Sequence, residues 1–102
     1  MNKVYSYLGL ARRAGKVVSG EQAVVGAVKR GQVRLVLISQ DASSNTYRKF
    51  SALAQNHNVR YVIYGEKDLY GQALGQSSRS IVGVLDRNFA DVIQAHIKEP
   101  VE

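Results

Sequence analysis

The chain has 102 residues, 45% of them hydrophobic, with 14 Lys+Arg, 8 Asp+Glu and a formal net charge of +6. That length predicts one domain, 1–102, and that composition excludes a disordered or fibrous chain. No apolar run approaches the roughly 20 residues of a membrane span, no secretory signal follows Met1-Asn2-Lys3-Val4-Tyr5-Ser6, and the absence of cysteine rules out disulfides and thiolate chemistry and suits a reducing cytoplasm.

The elements alternate along the chain. Val4, Leu8, Ala11 and Ala14 recur at helical spacing after a possible cap at Asn2, and Gly15 ends that helix. Val17 and Val18 are a short strand. Ser19 then opens a second helix running to about Arg30, with Gly31 as its stop. Ser19-Gly20-Glu21-Gln22 fits a capping box, in which Gln22 reaches back to the Ser19 amide. Val33 to Ser39 is nearly all apolar, as expected of a strand buried on both faces. A polar loop, Gln40 to Asn45, leads to a third helix over Thr46 to Gln55, with Tyr47, Phe50, Leu53 and Ala54 inward. Arg60 to Tyr64 is the third strand. Asp68 to Leu74 is a short fourth helix ended by Gly75. Ser80 to Leu85 is the fourth strand. Asp86 or Asn88 caps a last helix in which Phe89, Val92, Ile93 and Ile97 share a face, and Pro100 marks the tail. This alternation predicts an α/β fold: a three-layer α/β/α sandwich around one four-stranded mixed sheet.

Charge is uneven. Residues 1–65 hold ten basic side chains and two acidic ones, Glu21 and Asp41, whereas residues 66–102 hold four basic and six acidic. Positive charge concentrated in one part of a small chain points to a polyanionic partner; simple solubility is the alternative.

Signals for catalysis are weak. There is no phosphate-binding Gly-x-x-x-x-Gly-Lys-Ser/Thr, and Gly20, Gly26 and Gly31 are wrongly spaced for a dinucleotide fingerprint. His57 ends a helix and reads as a partner of the helix dipole, while His96 reads as a solvated surface residue. Asp41 follows a strand, where α/β enzymes place catalytic groups, but without a partner it reads as a turn or cap residue. The acidic residues do not cluster, so no metal site is expected. Gly71 and Gly75 read as close helix packing and a C-cap. No cofactor and no small-molecule substrate is expected.

The start of the second helix is more informative. Its first turn offers unpaired backbone N–H groups and the positive end of a dipole, a ready phosphate site, or simply an ordinary capped helix. Gly20 leaves room for an approaching backbone. Lys16 precedes it, and Lys29, Arg30 and Arg34 follow at the far end.

Here the sequence shows a resemblance. Ser19-Gly20-Glu21-Gln22-Ala23, Lys29-Arg30-Gly31 and Arg34 to Asp41 are similar to the core signature of the ribosomal protein L-seven-Ae and L-thirty-e family. Tyr70-Gly71-Gln72-Ala73-Leu74-Gly75, Arg79 and Ile81 to Leu85 resemble its second signature. The opening and the Asp41-Ala42-Ser43-Ser44-Asn45-Thr46 loop look closest to its bacterial YlxQ-type branch. The resemblance implies a cytoplasmic, non-catalytic protein that binds structured, kink-turn-like RNA, ribosomal or other, in association with the ribosome. It places Ser19, Gly20, Glu21 and Gln22 in the widened groove at sheared G·A pairs. It places Gln76, Ser77, Ser78, Arg79 and Ser80 over an extruded nucleotide, with Lys16, Lys29, Arg30 and Arg34 in support. Arg79 is expected to have little role in the core. Family members that read kink-turns carry Gly-x-Asn-Glu-x-x-Lys; here Gln22 replaces Asn, Ala23 replaces Glu and Gly26 replaces Lys. A protein-interaction module of the same fold is the alternative. An enzyme ranks third, because a methyltransferase would need a second domain for its methyl donor.

Overall fold

Four consecutive apolar residues form the strand on which the layers are built. In the computed structural model, which describes residues 2–98, Leu35–Ile38 is buried along its whole length. The element order is α1 (Lys3–Arg13), β1 (Val17–Ser19), α2 (Glu21–Lys29), β2 (Leu35–Ile38), α3 (Ser44–Asn56), β3 (Arg60–Ile63), α4 (Lys67–Leu74), β4 (Ile81–Val84) and α5 (Arg87–Lys98). The strands lie in the order β1-β4-β2-β3, with β2 and β3 parallel and β4 antiparallel to both β1 and β2. The sheet is therefore mixed, as expected.

Side chains alternate across a strand, so β2 supplies both cores. Leu35 and Leu37, with Val82 and Val84 of β4, meet Val4 and Leu8 of α1, Tyr70 and Leu74 of α4, and Ala90 and Ile93 of α5. Val36 and Ile38, with Ile81, meet Val24, Ala27 and Val28 of α2 and Phe50 and Ala54 of α3. Helices thus cover both faces, giving the expected three layers. Strands β1, β2 and β3 all run one way. The end where they finish is called here the upper end, and the end where they begin the lower end.

Several local expectations need correction. Ser19 does not open α2; it is the last residue of β1, opposite Val82. Gly20, at φ 92, is the N-cap, and no side chain bonds the first turn. Strand register holds Ser19 in the sheet, so the capping box with Gln22 does not form. The third helix starts two residues early, at Ser44, capped by the Ser43 hydroxyl accepting from Thr46 N at 3.1 Å. Its buried stripe begins at Phe50, and Tyr47 stays 42% exposed. In α5 the fully buried positions are Ala90 and Ile93. Val92, about 200° around the helix from Ala90, points outward instead. His96 is half-buried, stacked on Tyr7 with ring centroids 5.4 Å apart, because α1 packs on α5. His57 is the C-cap of α3, Asp86 accepts from Phe89 N at 2.9 Å, and Gly75 caps α4. Pro100 lies outside the described residues.

A tyrosine cluster fixes the turn between β3 and α4. The Tyr70 hydroxyl donates to the Tyr64 carbonyl, and Glu66 N donates to the Tyr5 hydroxyl at 3.1 Å. The Asn2 amide donates to the Tyr64 hydroxyl at 2.7 Å. Asp41 serves here as a cap from a distance, its Oδ1 accepting from Lys67 N at 3.1 Å. Gly65 turns the chain at φ +81, and a Cβ there would sit 2.6 Å from the Tyr5 hydroxyl and 2.9 Å from that of Tyr70.

Gly65→Ala should therefore lose about 1–3 kcal/mol of stability in urea unfolding, from backbone strain and displaced rings. Tyr70→Phe should lose about 1 kcal/mol at neutral pH through its missing hydrogen bond. Burial pushes the Tyr70 hydroxyl up from its ordinary value of 10.0. A raised folded-state value means full stability below pH 10 and a loss as pH rises above it. The alkaline decline should be shallower in Tyr70→Phe than in the parent; parallel declines would show that Tyr70 does not drive it.

Candidate nucleic-acid interface

β1 delivers the chain to the upper end of the sheet, where one residue must turn it into α2. Gly20 does so at a φ of 92, unfavourable for side-chain-bearing residues, while its amide donates to Ile81 O at 3.0 Å. The amides of the first turn, at Glu21, Gln22 and Ala23, have no capping side chain. Their donors and the helix dipole together present a positive end to solvent. Gln22 and Ala23 are exposed, and the Gln22 side chain has no partner among the described residues. Glu21 is committed elsewhere: its carboxylate accepts from the Thr46 hydroxyl at 3.2 Å and pairs with Lys49 at 3.7 Å. It ties the start of α2 to the start of α3.

The loop Gln76–Ser80 returns from α4 to β4 beside this helix start. Ser80 O accepts from Ser39 N at 2.9 Å, and Arg79 N donates to Lys67 O at 3.0 Å. The Arg79 guanidinium is a brace. Its Nε donates to the Ser19 hydroxyl at 3.2 Å, one terminal nitrogen to the Ser77 hydroxyl at 2.8 Å and Ser78 O at 3.1 Å, and the other to Gln76 Oε1 at 3.1 Å. A Cβ on Gly20 would lie 4.0 Å from Arg79 Nε. The two parts of the expected surface, 57 residues apart in sequence from Gln22 to Arg79, are thus adjoining. Arg79 is half-buried and structural to the loop, unlike the peripheral loop cation expected from sequence. A planar fork with five donors explains how one side chain can hold four loop and strand residues.

The four supporting cations lie elsewhere. Lys16 precedes β1, and its carbonyl accepts from Leu85 N at 2.8 Å, at the lower end. Arg34 N donates to Val84 O at 2.7 Å, also at that end. Lys29 and Arg30 close α2, about 13 Å from its start at 1.5 Å per residue. The structure therefore gathers Ser19, Gly20, Glu21, Gln22 and Gln76 to Ser80 in one place, and Lys16, Lys29, Arg30 and Arg34 in another.

Sequence reasoning missed the residues that support the loop. Gly71 lets the loop backbone press on α4: a Cβ there would fall on the Ser77 carbonyl. Asp68 accepts from the Ser78 hydroxyl. The Gly71–Gly75 spacing signalled close packing, but its partner is this loop rather than a helix. Among the described residues no group of three or more His, Cys, Asp or Glu could hold a metal ion, and no helix is long and apolar enough to cross a membrane.

Known proteins share this arrangement. The chain is 38% identical over 87 residues to "RNA-binding protein YlxQ" of Bacillus subtilis, covering 85% of this chain and 87% of that one. It is 27% identical over 93 residues to "Large ribosomal subunit protein eL8" of Thermoplasma volcanium, covering 90% and 77%. A solved structure of a Bacillus halodurans protein of unknown function superposes with a TM-score of 0.92 at 36% identity, over 97% of this chain and 100% of that one. A Giardia lamblia 15.5kD RNA binding protein shares the fold at a TM-score of 0.74 and 18% identity, over 91% and 80%. The family profile matches residues 2–94, from α1 well into α5, and the chain belongs to the Ribosomal protein L7Ae/L30e/S12e/Gadd45 family.

Proposed function

We propose that this protein binds structured RNA, without catalysis, through the start of α2 and the loop Gln76–Ser80. The observation that carries this reading is the junction of Gly20 with Arg79: uncapped helix amides and a braced polar loop form one surface. Helix amides suit a phosphate, and a loop held open beside them suits an unstacked base. The printed names of the bacterial relatives and the eL8 relatives support an RNA partner and, more distantly, the ribosome. We place the protein in the cytoplasm, at ribosomal or other kink-turn RNA. Lys16, Lys29, Arg30 and Arg34 stand outside this contact.

The mechanism is contact by backbone more than by side chains. Gln22 is the one free polar side chain of the first turn, and its amide can donate and accept at a guanine edge. Ala23 supplies no carboxylate. RNA shape and phosphate position therefore carry most of the recognition.

Two experiments test this. In the first, Arg79→Ala and Arg79→Lys are compared for binding to a kink-turn RNA and its straightened duplex. Lysine keeps the charge but not the fork. Both variants should weaken kink-turn binding by about tenfold, equivalent to the loss of about 1.4 kcal/mol. Rescue by lysine would show that charge alone matters and that the braced loop does not. In the second, Gln22→Asn, Ala23→Glu and Gly26→Lys are combined. This restores an acceptor for guanine and should raise discrimination for kink-turns over duplexes by about tenfold, the effect of one good base contact. Folding should not suffer: a Cβ at Gly26 meets only the mobile Arg30 guanidinium, at 3.2 Å, and helix propensity rises by up to about 1 kcal/mol. A triple variant that discriminates no better than the parent would place the binding surface elsewhere.

A further inference from the structure

The lower end of the sheet holds positive charge that the α2 start does not use. Lys16, Lys29, Arg30, Arg34, Arg60 and Arg87 gather there, at the entries to β1, β2, β3 and α5 and the exit of α2. Two carboxylates accompany them, and both are occupied. Asp86 accepts from Phe89 N at 2.9 Å, and Asp91 pairs with Arg60 at 3.0 Å. Arg60 also donates to Gln94 at 2.6 Å. Arg34 and Arg87 are different: both are exposed, and their guanidinium groups have no partner among the described residues. At the upper end, Glu21, Asp41, Glu66 and Asp68 offset the local cations. The charge that would attract a polyanion is therefore concentrated away from the helix start.

This charge surrounds a shaped recess. Arg34, Arg60 and Arg87, with Val33, Asn58 and Val59, line an open pocket of about 380 Å³. Arg87 is the first residue of α5, where the helix dipole disfavours a cation and favours an anion. An anion in the pocket would meet both the dipole and two free guanidinium forks, which match phosphate geometry. The large exposed hydrophobic side chains are Leu10, Tyr47, Ile63, Leu69 and Val92, and none lines this pocket. Protein interfaces rely on such buried anchors, so the chemistry favours a nucleic-acid backbone over an acidic protein.

We propose that the pocket formed by Arg34, Arg60 and Arg87 holds a backbone phosphate of a second RNA segment, so that one molecule bridges two parts of a folded RNA. The bridge, though not the pocket, rests on the RNA reading of the α2 start.

The test uses the full chain, a donor-labelled kink-turn RNA and an acceptor-labelled plain RNA duplex. The parent should bring the two together and give energy transfer. Arg34→Ala combined with Arg87→Ala removes the free forks and keeps Arg60, whose bond to Asp91 docks α5 on β3. Melting temperature should hold, and kink-turn affinity should stay within about twofold, because neither residue touches the helix start. Duplex affinity should fall by about tenfold, with a salt slope shallower by about 2, one for each lost phosphate contact. Energy transfer should disappear. Arg79→Ala should do the reverse, sparing duplex binding and weakening the kink-turn. A double variant that binds duplex as the parent does would overturn the pocket, and this is the result an acidic-protein site would give. Equal loss of both RNAs would also overturn it, since the two ends would then be one site. Duplex loss with no kink-turn preference in the parent would uphold the pocket while the α2 reading fails.

Discussion

The pairing of β4 between β1 and β2 is the constraint on which the candidate interface depends. β4 is antiparallel to both neighbours, with Ile81 opposite Ile38 and Val82 opposite Ser19. That register brings the start of β4 to the end where β1 and β2 finish. The residues just before β4 must then lie beside the residues just after β1. Ser80 O receives Ser39 N, Ile81 O receives Gly20 N, and Arg79 reaches the Ser19 hydroxyl. A helix start and a distant loop become one surface because backbone ladders place them together. The side chains refine a position already set.

The same register explains what could be read from the sequence and what could not. The order of elements follows from local signals: apolar period, glycine stops and the uninterrupted run over Leu35–Ile38. Sandwich layers follow because that run needs cover on both faces. Ser19 shows where local signals mislead. A serine three residues before a glutamine satisfies a capping rule, yet the same serine continues an apolar strand, and pairing with Val82 decides the matter. Lys16 was adjacent to the helix start in sequence only. A strand of three residues carries it about 10 Å away, to the opposite end of the sheet. The Arg79 brace was invisible for the same reason: its acceptor on Ser19 is sixty positions away. Within the helices, Val92 and Tyr47 were misplaced because hydrophobicity marks several possible stripes, and contact with the sheet selects one.

Support for the loop is distributed over residues with no direct part in recognition. Gly71 removes a side chain so the backbone of Ser77 can settle on α4, and Asp68 holds Ser78. The tyrosine cluster and Asp41 place the start of α4 and hence the Lys67 carbonyl that receives Arg79 N. Each link is ordinary packing or hydrogen bonding. Together they order a polar loop that would otherwise lose conformational entropy on binding, and less ordering at the moment of contact means less affinity lost to it.

The departures at Gln22, Ala23 and Gly26 gain a physical meaning against this background. Losing a glutamate and a lysine from the first two turns leaves Glu21 as the acidic residue of the first turn, already engaged by Thr46 and Lys49. What remains outward is backbone N–H, the dipole and one amide side chain. Such a surface responds to where phosphates lie more than to which base is present. In the proposed reading, specificity must then come from geometry over a longer span than one helix turn can cover. The free arginines at the lower end provide that span. Two weak, shape-dependent contacts on opposite ends of a rigid sheet can select a folded RNA that neither would select alone, because the second contact forms at high effective concentration only where the RNA brings a phosphate within reach.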